Sequence, residues 1–206
     1  AYPAGKYPDW EEKKLGEVTK YTKGFAFKSG QYLEAGERVI RVSDLGADSI
    51  KYDNEMIFIS SESSQEYEKY RLKKNNIVIT TVGSKPEMIE SAVGRGIFIR
   101  DEKEGFLNQN MLKFENIKSS SNEFIFNYLK SKKYQYFVKG IARGNANQAN
   151  ITVKDLLLFK IGTPSLPEQQ KIATYLSSLD QKIETVNHQI THTQTFKKGL
   201  LQGMFV

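Results

Sequence analysis

At 206 residues, with 39% hydrophobic side chains, 12 Phe and 11 Tyr, the chain can fill one domain plus an appendage or two small domains, and its composition excludes a disordered tail. Thirty Lys plus Arg against 24 Asp plus Glu give +6 and a pI near 9.2, a balance that suits a phosphate-bearing partner although ordinary proteins reach it too. The absence of Cys excludes disulfides, thiolate nucleophiles and Cys-bound zinc, and with no long apolar run and no signal-peptide pattern in Ala1 to Pro8 it predicts a cytoplasmic protein without a membrane span.

From Trp10 to about Lys118 short β-branched runs alternate with turn residues: Val39 to Val42, Met56 to Ile59, Ile77 to Val82, Ile97 to Ile99 and Met111 to Phe114. Their length and composition predict strands. Ser61 to Tyr70, polar with Tyr67 and Tyr70 three apart, reads as a short surface helix. Ser121 to Lys139 carries Phe124, Ile125, Tyr128, Leu129, Tyr136 and Phe137 at near-helical spacing, which predicts one helix on the sheet, capped by Ser121 or Asn122. Arg143 to Asn150 is nearly all amide and small side chains and is expected to be an exposed loop.

After Pro164 the pattern changes. Ser165-Leu166-Pro167-Glu168 offers a capping box with Pro in the first turn, and apolar positions follow at Ile172, Leu176, Leu179, Ile183, Val186 and Ile190. Steps of alternately four and three residues are the seam of a coiled coil, continuing through Thr193, Lys197, Leu200 and Met204. Helical from Pro167 to Gln202, this segment would span about 54 Å at about 1.5 Å per residue. A helix folded back across the preceding sheet is the alternative, but a strict 3.5-residue period suits another helix better than a twisted sheet. The fold class expected is therefore α+β, with a mixed globular domain over 1–163 and a long coiled-coil helix over 164–206.

Catalytic signatures are missing. The sequence has no phosphate-binding loop, no dinucleotide-binding glycine pattern, no nucleophile elbow and no H-E-x-x-H. An Asn-Pro-Pro-aromatic tetrapeptide of the amino-methyltransferase kind is absent as well. Asp9, Glu11 and Lys13 superficially resemble a nuclease set but crowd into one polar segment. His188 and His192 have the i, i+4 spacing of two metal ligands, yet no third ligand is evident and they sit among Thr and Gln, so exposed polar residues are the plainer reading. No catalytic residue, metal site or cofactor is expected in this chain.

Readout of DNA uses Arg or Lys for guanine and phosphate, Asn or Gln for adenine, and small residues where backbone meets phosphate. Four clusters have that chemistry: Lys23 to Gly30, Thr80 to Pro86, Asn108 to Asn110, and Arg143 to Asn150. Each also has a structural reading as a turn, a hairpin end or a self-bonded bend. Together they nominate Lys23, Lys28, Ser84, Lys85, Asn108, Gln109, Arg143, Asn145, Asn147, Gln148 and Asn150, with Lys23, Lys28 and Lys85 for phosphates and Arg143, Asn145, Asn147 and Gln148 for base edges.

Several of these segments resemble the specificity subunits of type I restriction-modification enzymes. They are Trp10-Glu11 with Lys14 to Val18, the Gly24 to Ser29 turn, Ile79 to Ser84, Leu107 to Asn110, the block Leu166-Pro167-Glu168-Gln169-Gln170-Lys171-Ile172-Ala173, and Lys197 to Phe205. They occur in family order from about Trp10 to Phe205, and the Pro-Glu-Gln-Gln-Lys-Ile-Ala block entering a heptad helix is the most specific. The resemblance implies a target-recognition domain that reads one half of a bipartite site in double-stranded DNA, and a spacer helix that pairs antiparallel with another. It further implies docking of methyltransferase and restriction subunits, which would hold S-adenosylmethionine, ATP and Mg.

The family usually carries two recognition domains and two spacer helices, whereas this sequence holds one of each. It reads as the C-terminal half of a subunit or as a natural half-subunit that dimerises; the missing initiator Met and the Tyr7-Pro8-Asp9-Trp10 opening favour the former. An isolated chain is expected to form a homodimer through Ile172, Leu176, Leu179, Ile183, Val186 and Ile190. The rivals are a protein-interaction module with a coiled-coil oligomerisation helix, and a nuclease or methyltransferase with an unfamiliar site.

Overall fold

A computed structural model describes residues 10–46, 49–84, 93–101, 104–145 and 148–205. Its organising element is a four-stranded antiparallel sheet of β2 (Thr19–Lys23), β9 (Met111–Asn116), β5 (Ile77–Thr80) and β7 (Gly96–Phe98), in that order. Every residue of β5 is buried, because this central strand is covered on both faces. Ile77 and Ile79 point with Leu112 and Phe114 into a core shared with the helices, and Val78 points the other way with Ile97 and Met111 toward Ile40, Leu45, Leu72 and Leu107. The domain is thus three layers: helices, central sheet, and a small second β-layer.

The second layer is β4 (Ile57–Ile59), β3 (Glu37–Ile40) and β8 (Phe106–Leu107), antiparallel between β4 and β3 and parallel between β3 and β8. The expected strand at Val39 to Val42 lies two residues earlier, since Val42 to Asp44 turn into a 3₁₀ segment stabilised by Asp44 accepting the Arg41 backbone N–H at 2.7 Å. Ser64–Tyr70 is helical as expected, but as a 3₁₀ helix, and its inner face is a packing surface. There Tyr67 meets Phe25 and Phe27 at ring distances of 5.0 Å.

The helix expected over Ser121 to Lys139 is broken in two: α2 (Asn122–Leu129) and α3 (Lys132–Ile141). Ser131 makes the break. Its Oγ accepts the Tyr134 N–H at 3.2 Å as an N-cap and donates to the Tyr128 carbonyl at 2.6 Å, so one residue ends the first helix and starts the second. Ser121 caps α2, accepting from Phe124 N.

Two short elements set the base of the long helix. β1 (Glu11–Lys14) runs antiparallel to β12 (Lys160–Thr163), with Glu11 opposite Thr163, and leads into the single turn α1 (Leu15–Val18). α5 then extends over Leu166–Met204, 39 residues or about 58 Å. Its start is where the sequence puts it, but the capping box is not formed: Ser165 makes no side-chain cap bond, and Glu168 Oε1 instead accepts the Trp10 indole N–H at 3.3 Å. Gln169 and Ala173 are buried where α5 packs on α2, and Lys130 reaches Asp180 at 3.3 Å. Every described residue from Leu179 to Phe205 is exposed, so α5 packs on α2 through its first turns and then leaves the domain. Among the described residues no helix is long and apolar enough to cross a membrane.

Candidate nucleic-acid interface

The four polar clusters, scattered over 128 residues from Lys23 to Asn150, are stitched into one surface by backbone hydrogen bonds. Gly24 N–H donates to Met111 O at 2.9 Å and Phe25 N–H to Leu107 O at 3.0 Å, joining the first cluster to the third. Thr81 N–H donates to Asn110 O at 2.8 Å and Ile151 N–H to Thr81 O at 3.0 Å, joining the third to the second and the second to the fourth. The approach at Gly24 is so close that a Cβ there would stand 1.7 Å from Asn108 O, which only glycine avoids.

The segment Arg143 to Asn150, expected as a loop, contains a hairpin instead. β10 (Arg143–Gly144) pairs with β11 (Ala149–Asn150), and β11 pairs in turn with β6 (Val82–Gly83), so that Val82 faces Asn150 and Gly83 faces Ala149. Ala149 is buried and anchors the hairpin in the core, which polarity alone could not reveal. The run expected as one strand, Ile77 to Val82, divides at Thr81 between the central sheet and this smaller one. Asn145 Oδ1 accepts the Gln148 N–H at 2.9 Å across the turn.

Between this hairpin, Asn110 and the second β-layer lies a cleft of about 540 Å³. Its walls include Ser84, Asn110, Gln148 and Asn150 from three of the nominated clusters, together with Lys51 and Arg95. Lys51 and Arg95 escaped sequence reading because each is a lone cation, between Ile50 and Tyr52 and between Gly94 and Gly96; only the fold sets them beside the amides. Arg95 donates to Leu45 O at 2.9 Å, and Lys51 N–H is held by Asp44 O at 2.7 Å. Nearby, partial desolvation of its hydroxyl and a hydrogen bond donated to the Glu104 carboxylate push the Tyr52 phenol up to about 12, although its side chain is largely exposed.

The remaining nominated residues divide by burial. Lys23 and Lys28 project from the first cluster with exposed side chains; Lys28 backbone N–H is held by Gln31 Oε1 at 2.9 Å. Gln109, Gln148 and Asn150 are exposed, and Arg143 pairs with Asp155 at 2.9 Å. Asn108 is buried, with Oδ1 accepting the Gln109 N–H at 2.8 Å, and serves the bend itself. Lys85 and Asn147 lie outside the described residues, as does Asp9. Glu11 and Lys13 are tied to each other at 2.8 Å on β1. Glu184 stands one turn before His188, 4.0 Å away, an acid that sequence reading passed over; no group of three ligating side chains that could hold a metal occurs among the described residues.

On α5 the seam is an uncovered apolar stripe. Ile172 and Leu176 are half-buried near the domain, while Leu179, Ile183, Val186 and Ile190 stand 36% to 59% exposed. Thr193, a polar seam position like Lys197, turns its hydroxyl to Gln189 O at 2.8 Å, leaving no orphan donor if it were covered.

Residues 7–193 match the family described as the type I restriction modification DNA specificity domain. The chain belongs to this family. Among curated relatives, the specificity domain is 29% identical over 182 residues to the type I restriction enzyme EcoAI specificity subunit of Escherichia coli, covering 86% of this chain and 29% of that protein. It is 27% identical over 197 residues to the MjaVIII specificity subunit of Methanocaldococcus jannaschii, covering 94% and 44%. A chain solved in work on complex assembly and conformational transition of the type I R-M system superposes with a TM-score of 0.66 at 20% identity, covering 97% of this chain and 46% of that one. The S subunit of M. genitalium follows with 0.56 at 18%, covering 89% and 42%. The specificity domain thus spans less than half the length of the relatives it matches, and the solved structures establish its fold.

Proposed function

We propose that this chain reads DNA sequence and performs no chemistry itself, serving as the recognition half of a type I restriction-modification specificity subunit. The observation that carries the reading is the convergence of three amide-rich and small-residue clusters with Lys51 and Arg95 around one cleft, the residue types that address base edges and phosphates. In this reading Gln109, Asn145, Asn147, Gln148, Asn150 and Arg143 address base edges, Lys23, Lys28 and Lys85 supply charge toward phosphates, and Ser84 lines the cleft. Asn108 acts by holding the bend that presents Gln109. The exposed seam of α5 pairs with a second such helix, in a homodimer of the isolated chain or within a longer subunit, and sets the distance between half-sites. Methyltransferase and restriction subunits then dock on the assembly and bring S-adenosylmethionine, ATP and Mg. Like restriction-modification specificity subunits in general, the complex works in the cytoplasm.

The test is selection of bound duplexes from a randomised pool, followed by titration of the winner against salt. Enrichment of a short motif, with affinity falling steeply as salt rises, is the expected result. A pool that stays random would overturn sequence reading, and binding indifferent to salt would favour a protein-interaction module instead.

A further inference from the structure

One stretch carries the whole net charge of the chain. Between Lys130 and Lys154 there are six cations, Lys130, Lys132, Lys133, Lys139, Arg143 and Lys154, and no acid; this equals the +6 of the complete sequence, so the rest is balanced. α3 presents the middle of the stretch. At 100° per residue Lys132, Tyr136 and Lys139 share one face, all three exposed and Tyr136 by 73%. The opposite face fixes the helix rotation: Tyr134 and Val138 are buried, the Tyr134 hydroxyl donates to Gly94 O at 2.8 Å, and its ring meets Phe159 at 5.1 Å. Lys130 and Arg143 are drawn into ion pairs with Asp180 and Asp155, whereas Lys132, Lys133 and Lys154 form no salt bridge among the described residues.

The position of α3 matters as much as its charge. Its last residue, Ile141, leads through Ala142 directly into β10, so the helix that carries the basic face runs in the chain straight into the hairpin whose second strand walls the cleft. Ten helical residues cover about 15 Å, a length over which duplex DNA presents several phosphates at one charge per about 1.7 Å of axis. Tyr beside Lys adds a phenolic donor for phosphate oxygens. An acidic protein surface would answer the charge, but not the continuity with a base-reading hairpin.

We infer that the exposed face of α3, with Lys132 and Tyr136 on it and Lys133 on its flank, is a sequence-independent clamp on the DNA backbone beside the bases met by the hairpin. The inference rests on the DNA-reading function proposed above. Binding of the full chain to a 30-base-pair duplex of mixed sequence is followed by fluorescence anisotropy from 50 to 300 mM KCl. The wild type is compared with Lys132→Gln/Lys133→Gln and with a charge-matched control, Lys73→Gln/Lys74→Gln. The α3 variant is expected to keep its melting temperature and to lower the slope of log affinity against log salt by about 2, near 0.9 for each phosphate no longer neutralised, with binding about ten- to a hundredfold weaker at 0.1 M. An unchanged slope, or an equal loss in the control, overturns the clamp while leaving DNA reading intact. A wild type that does not bind the duplex in a salt-dependent way overturns both, and retention of DNA binding with loss of a protein partner in the α3 variant assigns the face to that partner instead.

Discussion

The Gln169 side chain, buried at the start of α5, accepts the Ser121 backbone N–H at 3.0 Å and thereby ties the long helix to the cap of α2. Its amide nitrogen donates to Pro164 O at 2.9 Å and Ser119 O at 3.3 Å, so one side chain satisfies three backbone groups of two segments 50 residues apart. Replacing Gln169 with Leu keeps the volume and removes all three bonds, leaving a buried donor and two carbonyls unmet. A destabilisation of about 3 kcal/mol follows from these costs. Chemical denaturation of the variant checks it, and a loss below about 1 kcal/mol would mean that water or a shifted helix replaces the clasp.

Gly24 and Asn108 make the second critical approach. A Cβ at Gly24 would meet the Asn108 carbonyl oxygen at 1.7 Å and its carbon at 2.5 Å, both backbone atoms that cannot swing aside. Gly24→Ala must therefore pry the first cluster from the third, at a cost of about 3 kcal/mol or more. The expected outcome is a lowered melting temperature together with weakened DNA binding, whereas Gly30→Ala, with open space around its added Cβ, should leave both nearly unchanged.

How much of this was legible in the sequence depends on whether local pattern or tertiary contact decided each element. The start and seam of α5 follow from Pro167 and the apolar period, and Val78 and Ile79 announce a buried strand by composition alone. The break at Ser131 does not, because Tyr134, Phe137 and Val138 continue a plausible apolar spacing; a Ser bonded both forward and backward ends the helix. The hairpin at Arg143 to Asn150 was hidden because one small residue, Ala149, does the anchoring. Gln169 was invisible within Glu168-Gln169-Gln170-Lys171, where nothing distinguishes the one buried amide from its exposed neighbours.

Lys113 offers a test by pH. Its ammonium is buried on the second-layer side of β9, donating to Lys69 O at 2.9 Å and Arg71 O at 3.0 Å, with Glu115 3.6 Å away. Burial lowers its pKa below the ordinary value, partly offset by Glu115. Between the lowered value and about 10.4 the unfolded chain holds a proton that the folded chain has released, so this residue makes stability rise with pH across that window. Both carbonyl bonds survive deprotonation, since a neutral amine still has two donors. The stability difference between wild type and Lys113→Met should therefore shift in favour of the wild type from pH 8 to pH 10, as read by urea titration; a difference independent of pH would show that Lys113 titrates normally.

The α5 seam predicts an oligomer. Ile183 and Val186 are 59% and 50% exposed, too much apolar surface at too regular a spacing to leave facing water. Light-scattering chromatography should give a dimer for the chain and a folded monomer for Leu179→Asp/Ile183→Asp. A monomeric wild type would remove helix pairing from the reading, and a dimer that survives both aspartates would move the interface off the seam.

Sequence discrimination and backbone attraction should separate by residue. Gln148 and Asn150 line the cleft with amides, which recognise adenine edges but contribute little to counterion release. Replacing both with Ala should cost about 1 to 3 kcal/mol on the selected duplex for each well-placed pair, and almost nothing on a scrambled one. The salt slope should stay at the wild-type value, because neither substitution removes a cation. Competition between the two duplexes measures the ratio directly: collapse toward equal affinity assigns base reading to the hairpin, whereas a uniform weakening on both would make the hairpin a backbone contact and move recognition to the other wall of the cleft, where Lys51 and Arg95 stand.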